Sequence, residues 1–230
     1  QQLFPEISID NLSDSDDSKH LQQALSTKAS FIDIGHAGTA MRFLVGYFSS
    51  KQNSEVILTG SERMQQRPIG VLVEALRDLG ADISYIENEG YPPVRIKGKA
   101  ITKDKVQING NVSSQYISSL ILMGTHLAKG VTIELMGEIT SIPYIKMTLS
   151  LLNQLGISTY FEGNTIQVLP AKQLQKQTVV VESDWSSASY FYSVAAFSEV
   201  GSEIQLSAYK KESLQGDSCL AEIYTYFGVE

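Results

Sequence analysis

The feature that most constrains how this 230-residue chain can fold is a pattern that returns about every 75 residues. Three segments open with small or hydroxyl-bearing residues and run into an apolar stretch: Ala37-Gly38-Thr39 into Phe43-Leu44-Val45, Ser113-Ser114-Gln115 into Leu120-Ile121-Leu122, and Ser186-Ser187-Ala188 into Tyr190-Phe191-Tyr192. A run with strand character follows each, at 55–59, 131–135 and 203–206. A second helix comes next, led by Pro68 in the first unit and Pro143 in the second. These helices stop at Leu79-Gly80, Leu155-Gly156 and Phe227-Gly228, where glycine suits a left-handed C-terminal cap. Hairpins are expected after the first two caps, 82–86 with 94–97 and 158–161 with 165–169 across Gly163-Asn164. The fold class is therefore α/β, built from repeated helix-strand-helix-hairpin units.

The helices opening at Thr39, Ser114 and Ser187 are apolar nearly all round, which predicts burial among neighbouring elements, whereas 71–78 carries a charged face. Buried helices with sheets outside them would gather several helix N-termini at one end of a domain. Such an end attracts anions. Ahead of the repeats stand one strand, at 7–9, and a helix around 21–25. Its acidic lead, Asp14, Asp16 and Asp17, fits a helix start better than a metal site. The chain stops just after the third cap, before the hairpin that would complete the unit.

The residues around Asp33 show how such an end would be used. Gly35 and Gly38 let the backbone turn and approach a ligand, Thr39 is placed to cap, and Ala40-Met41-Arg42-Phe43 continues as helix. Only five arginines occur in the chain, and Arg42, Arg63 and Arg67 fall within 26 residues of one another. Pro68 favours a first helical position and leaves Arg67 on the loop entering that helix. A planar guanidinium fork suits carboxylate and phosphate, so the cluster points to a small, highly anionic substrate.

Composition narrows the classes further. A hydrophobic fraction of 43% with 19% charged residues fits a globular domain, and the net charge of −7 argues against nucleic acid, which needs a basic face. No apolar run approaches the roughly 20 residues needed to span a bilayer, and Gln1-Gln2-Leu3-Phe4-Pro5 lacks a signal-peptide pattern. The expectation is a cytoplasmic protein with no membrane partner. One cysteine and three dispersed histidines give no metal-ligand pattern, so neither a metal nor another cofactor is expected. Cys219 reads as a small, half-buried residue.

Each candidate also has a plain structural use. Arg42 can be a buried packing partner, Ser113-Ser114 and Ser141 can be helix caps, and Tyr144 can be an ordinary packed tyrosine. His36 reads as a turn residue or hydrogen-bonding neighbour, Asp184 as a cap or hinge contact, and Trp185 as a packing residue.

Six ordered motifs lift several of these residues above the plain reading. Gly35-His36-Ala37-Gly38-Thr39-Ala40-Met41-Arg42, Leu58-Thr59-Gly60 with Arg63-Met64 and Arg67-Pro68-Ile69-Gly70, Tyr91-Pro92-Pro93, Val112-Ser113-Ser114-Gln115, Pro143-Tyr144-Ile145 and 184–190 resemble the 5-enolpyruvylshikimate-3-phosphate (EPSP) synthase family. His36 stands where that family usually has Asn, Phe43 where Pro is common, and the connection from Leu25 to Asp33 is shorter than usual. The resemblance implies an enolpyruvyl transferase-like inside-out α/β barrel in each of two domains, with 1–182 the substrate-binding domain, its first unit truncated, and 183–230 the incomplete beginning of the second. It implies transfer of enolpyruvyl from phosphoenolpyruvate to the 5-hydroxyl of shikimate 3-phosphate, by a monomer without a cofactor. By position, Ser113, Ser114 and Ser141 would hold the phosphate of shikimate 3-phosphate, Gln115 would touch ring and donor, and Tyr144 would lie against the ring. Gly38 and Arg67 would bind phosphoenolpyruvate, with Arg42 supporting the same pocket. The family's catalytic residues fall before Gln1 and after Glu230, so none is expected in this chain and the fragment alone would be inactive. Two readings stay open beside it: a related enzyme acting on UDP-N-acetylglucosamine, and a non-catalytic anion-binding module.

Overall fold

A computed structural model describes residues 2–230. The chain opens with β1 (Ile7–Asp10) and α1 (Asp16–Ser26), whose N-cap is Ser15 and whose first turn holds Asp16 and Asp17 against the positive end of the helix dipole. The first unit then runs β2 (Phe31–Asp33), α2 (Gly38–Ser50), β3 (Ser54–Thr59), the single turn α3 (Glu62–Gln65), α4 (Gly70–Leu79), β4 (Asp82–Tyr85) and β5 (Val94–Gly98). The second repeats it as β6 (Lys105–Asn109), α5 (Ser114–Gly124), β7 (Val131–Met136), α6 (Ile142–Gln154), β8 (Thr159–Glu162) and β9 (Thr165–Val168). The third contributes β10 (Gln177–Val180), α7 (Trp185–Ala196), a 3-10 turn at Gly216–Cys219 and α8 (Leu220–Thr225).

Each complete unit thus begins with a strand absent from the expected order. That strand pairs in parallel with the unit's next one, β2 with β3 and β6 with β7, and the hairpin adds antiparallel strands to give β2-β3-β5-β4 and β6-β7-β9-β8. The hairpins fall in the expected register, Asp82 opposite Lys97 and Glu162 opposite Thr165 across a two-residue turn. The leading strand of the third unit, β10, pairs in parallel with β1 from the start of the chain. Among the described residues these are three open sheets, and no ring of strands closes a barrel.

The sheets are outer layers. Val56, Leu58, Val94 and Ile96 point inward and are buried, while Glu55, Arg95 and Lys97 on the alternating positions face solvent. Beneath them α2 and α5 are enclosed: ten of the thirteen residues of α2 are buried, and eight of the eleven of α5. One continuous core, including Leu44, Leu72, Ile96, Leu120 and Ile133, joins both units.

The third unit departs from expectation. Helix α7 is as apolar as α2 but buries only Trp185 and Ala188, and its core is a separate cluster of these two with Leu220. The run at 203–206 is not a strand, and no neighbouring backbone among the described residues forms a ladder with it. Cys219 is exposed rather than half-buried. Two local expectations also shift. Pro68 lies ahead of α4 rather than at its first position, and Thr39 lies inside α2 rather than capping it, the N-cap being Ala37. Asp184 does cap α7, accepting from Ser186 N at 2.9 Å, and Gly80 adopts the left-handed C-cap at φ +107°.

Candidate functional site

In every unit a parallel strand hands the chain to a helix, β2 to α2, β6 to α5 and β7 to α6, so these helices start at the carboxyl edge of their sheets. That edge is where open α/β sheets place ligands. The starts of α2 and α5 lie side by side: Gln115 Nε2 donates to Thr39 Oγ1 at 3.0 Å and Ser119 Oγ donates to the Arg42 carbonyl at 2.8 Å. One turn on, a Cβ at Gly46 would stand 2.5 Å from Ser119 Oγ, so glycine permits this close approach. Contacts that advance together along both helices make them parallel, with their positive ends at one face.

At that face the positive side chains converge on Gly38. A Cβ on Gly38 would run into the Arg67 guanidinium and stand 2.9 Å from Arg42 Nη1. Arg42 is 5% exposed, and its Nη1 donates back to the Gly38 carbonyl at 2.5 Å. Its Nε is buried with no hydrogen-bond partner, and its guanidinium lies 5.6 Å from the ring centroid of Tyr116. Burial pulls the Arg42 pKa below the ordinary arginine value, opposed by Tyr116 and reinforced by the positive charge of Arg67.

The arginines of the chain divide cleanly. Arg77 is paired with Glu89 at 3.3 Å and Arg95 with Glu55 at 3.0 Å on the outer surface. Among the described residues no carboxylate lies within ion-pair distance of Arg42, Arg63 or Arg67. A buried guanidinium and its positive neighbour without a counter-ion form a site short of negative charge, and an anion would supply it. Helix α2 adds to the field, since Ala37 offers no side-chain cap to its first-turn N–H groups.

Arg67 is exposed on the loop between α3 and α4, as the position of Pro68 implies. Its backbone N–H donates to the Met64 carbonyl at 3.0 Å, and the next carbonyl, that of Pro68, accepts from Tyr116 Oη at 2.6 Å. Ser61 caps α3 and meets His36 Nδ1 at 2.9 Å, which makes His36 a hydrogen-bonding neighbour of this loop.

The hydroxyl candidates occupy the adjoining helix starts. Ser113 is the N-cap of α5, its Oγ accepting from Gln115 N at 3.4 Å, and Ser114 opens the helix half-buried. Ser141 is the N-cap of α6 in a left-handed conformation, φ +57°, and makes no side-chain cap hydrogen bond. Tyr144 stands on the first turn of α6, exposed rather than packed. The two entrances are joined by Thr140 N donating to the Gly110 carbonyl at 3.0 Å, and the two helices by Ser118 and Thr148 hydroxyls 2.9 Å apart. Gly38, Arg42, Arg67 and, through Thr39, Gln115 therefore form one cluster. Ser113 and Ser114 border it on α5. Ser141 and Tyr144 share the sheet edge but make no hydrogen bond to the arginines.

Tyr116 is the participant that sequence reasoning missed. Its signal was an aromatic residue with a polar tip, next to Gln115, on a helix otherwise lined with apolar and small residues. Among the described residues no group of three or more His, Cys, Asp or Glu is placed to hold a metal, and no helix is long and apolar enough to cross a membrane.

Comparison with known proteins bears on the family and the fold. The family model for EPSP synthase (3-phosphoshikimate 1-carboxyvinyltransferase) matches residues 4–230. A 3-phosphoshikimate 1-carboxyvinyltransferase of Bacteroides fragilis (strain YCH46) is 46% identical over 221 residues, which are 96% of this chain and 53% of the relative. That of Colwellia psychrerythraea (strain 34H / ATCC BAA-681) is 41% identical over 199 residues, 86% of this chain and 46% of the relative. In fold the chain is similar to an EPSP synthase structure from Acinetobacter baumannii, with TM-score 0.73 and 23% identity over 92% of this chain and 53% of that one. The chain spans about half the length of the curated relatives it matches. With the family model matching nearly all of its residues, the chain belongs to the EPSP synthase family.

Proposed function

We propose that this chain is the substrate-binding part of an enzyme that transfers enolpyruvyl from phosphoenolpyruvate to the 5-hydroxyl of shikimate 3-phosphate, releasing phosphate. The observation that carries the reading is the pair of arginines around Gly38 with no carboxylate in ion-pair distance among the described residues, beside a second helix start bearing Ser113 and Ser114. The reaction brings two multiply charged anions together, and their mutual repulsion has to be offset by fixed positive charge and oriented N–H and O–H groups. Arg67 and Arg42, with the backbone at Gly38, take the phosphoenolpyruvate end. Ser113, Ser114 and Ser141 take the phosphate of shikimate 3-phosphate, Gln115 lies between the two, and Tyr144 covers the ring.

In this reading 1–182 is the substrate-binding domain and 183–230 begins a second one, a division supported by the two separate apolar clusters. The protein is a cytoplasmic monomer that uses neither metal nor organic cofactor, and the residues that move protons lie outside 1–230, so this fragment alone is inactive.

The test is phosphate release by the full-length protein from phosphoenolpyruvate with shikimate 3-phosphate as acceptor. Robust turnover supports the reading. Preference for UDP-N-acetylglucosamine would sink it, and binding without turnover would favour an anion-binding module. Calorimetric titration of the 230-residue chain with shikimate 3-phosphate adds the site: binding should be lost in Ser113→Ala/Ser114→Ala.

A further inference from the structure

We infer that Tyr116 is a positioning residue that sets both arginines of the anion site at once, its hydroxyl holding the loop of Arg67 and its ring facing the guanidinium of Arg42. The inference rests on the reading of Arg42 and Arg67 as the phosphoenolpyruvate end of the site.

Tyr116 lies on the first turn of α5 and is 8% exposed. A buried hydroxyl costs free energy unless it is hydrogen-bonded, so packing alone would favour phenylalanine here. The Tyr116 hydroxyl has a specific partner, the Pro68 carbonyl at 2.6 Å, one residue beyond Arg67. Among the described residues Arg67 has no carboxylate to fix its side chain, so its position depends on its backbone. That backbone is tied on one side by Arg67 N to the Met64 carbonyl at 3.0 Å, and beyond Pro68 by Ile69 N to the Gly90 carbonyl at 2.8 Å. Pro68 itself has no N–H, so its carbonyl is the one polar handle it offers, and Tyr116 holds it.

The ring serves the other arginine. Arg42 is buried, and among the described residues its Nε is unpartnered and no carboxylate offsets its charge, so the negative face of an aromatic ring 5.6 Å from the guanidinium supports it without neutralising it. A carboxylate in that place would pair with Arg42 and compete with the ligand. A tyrosine ring leaves the charge available. One side chain on α5 therefore spans α2 and the α3–α4 loop, and it places both guanidinium groups on Gly38.

Tyr116→Phe keeps the ring and removes the hydroxyl; Tyr116→Leu removes both. In the full-length protein, Tyr116→Phe is expected to raise KM for phosphoenolpyruvate about five- to tenfold, the scale of one lost hydrogen bond to a loop, with KM for shikimate 3-phosphate and kcat unchanged. Tyr116→Leu should raise it further. A binding arm keeps this inference apart from the functional one: inorganic phosphate is titrated into wild type and Tyr116→Phe while the arginine side-chain Nε–H resonances are followed. Weaker phosphate binding by Tyr116→Phe supports the inference. Equal binding by the two proteins, or none by wild type, would overturn it, as would both Michaelis constants rising together with a matching fall in Tm, which is the mark of a packing role. A wild type that binds phosphate but turns nothing over would defeat the functional reading alone and leave the phosphate comparison to decide Tyr116.

Discussion

Helices α2 and α7 stand at equivalent places in the repeat and are similarly apolar, yet α2 is enclosed by α1, α4, α5 and the sheet of its own unit while α7 lies open along Tyr190, Phe191, Val194 and Phe197. The difference lies in the neighbours. In the first two units a parallel strand pair and a hairpin cover the helix, and the facing unit covers its other side. In the third, β10 pairs with β1 at the start of the chain, and 203–206 forms no ladder. Burial is thus a property of the assembled units, and hydrophobicity around a helix states only what it needs.

The largest effect should come from breaking the enclosed half. Leu44→Ala removes a side chain with no exposed surface from the core of α2 and is expected to cost about 2–5 kcal/mol, whereas Val194→Ala, at 57% exposure on α7, should stay within about 0.5 kcal/mol. Urea unfolding of both variants checks this, and a costly Val194→Ala would show that α7 is covered in solution. Trp185, the one tryptophan of the chain, belongs to the small cluster and so reports on the third unit by itself. Its fluorescence transition should precede the loss of helical circular dichroism, and coincident transitions would make the two regions one cooperative unit.

Next in size is Arg67→Ala in the full-length protein, expected to weaken phosphoenolpyruvate binding by about 2–5 kcal/mol, as loss of a charge-assisted contact does. An unchanged KM would return Arg67 to the surface. Ser114→Ala should weaken shikimate 3-phosphate by about 1 kcal/mol, the scale of one hydroxyl contact. Loss of thermal stability alone would instead mark Ser114 as a helix-start residue.

The gentlest probe is acid, which should separate the two regions by window. Burial lowers the pKa of His126, in the enclosed half, so the unfolded chain takes up a proton first and stability falls as pH drops below the ordinary histidine value of 6.5. In the third unit, partial burial raises the Glu182 pKa, but hydrogen bonds from Lys210 N, Trp185 Nε1, Ser213 Oγ and Gln215 outweigh it and hold the carboxyl below the usual range. Its contribution is intact above the ordinary value near 4.5 and is lost as pH falls through the lowered one. Urea midpoints between pH 7.5 and 4, read by circular dichroism and by Trp185, should therefore move first for the enclosed half. His126→Phe should remove that early loss.

The legible parts of this fold were the ones decided locally. Glycine at the C-terminal caps, the two hairpins, the acidic start of α1 and the Asp184 cap depend on backbone conformation and on neighbours a few residues away. The missed strands depend on partners far off: β2 is three residues long, β10 answers to β1 some 170 positions earlier, and the alternation of Val106 and Ile108 in β6 was visible but has no hairpin signal beside it. At the site the residue types were legible, since glycine, hydroxyl and arginine at a helix start carry their chemistry with them. Tyr116 was not, because its role exists only where α5 meets the α3–α4 loop.

By itself the sequence determined the repeat and the class of its elements, which follow from periodicity and capping along the chain, and its ordered motifs carried the resemblance to the family. The tertiary structure alone decided which apolar helices are enclosed, that Arg42 and Arg67 meet over Gly38 with no carboxylate in ion-pair distance among the described residues, and that Tyr116 reaches both the Arg42 guanidinium and the Pro68 carbonyl. Those outcomes depend on the close parallel approach of α2 and α5, and spacing along one chain does not encode the distance between two helices.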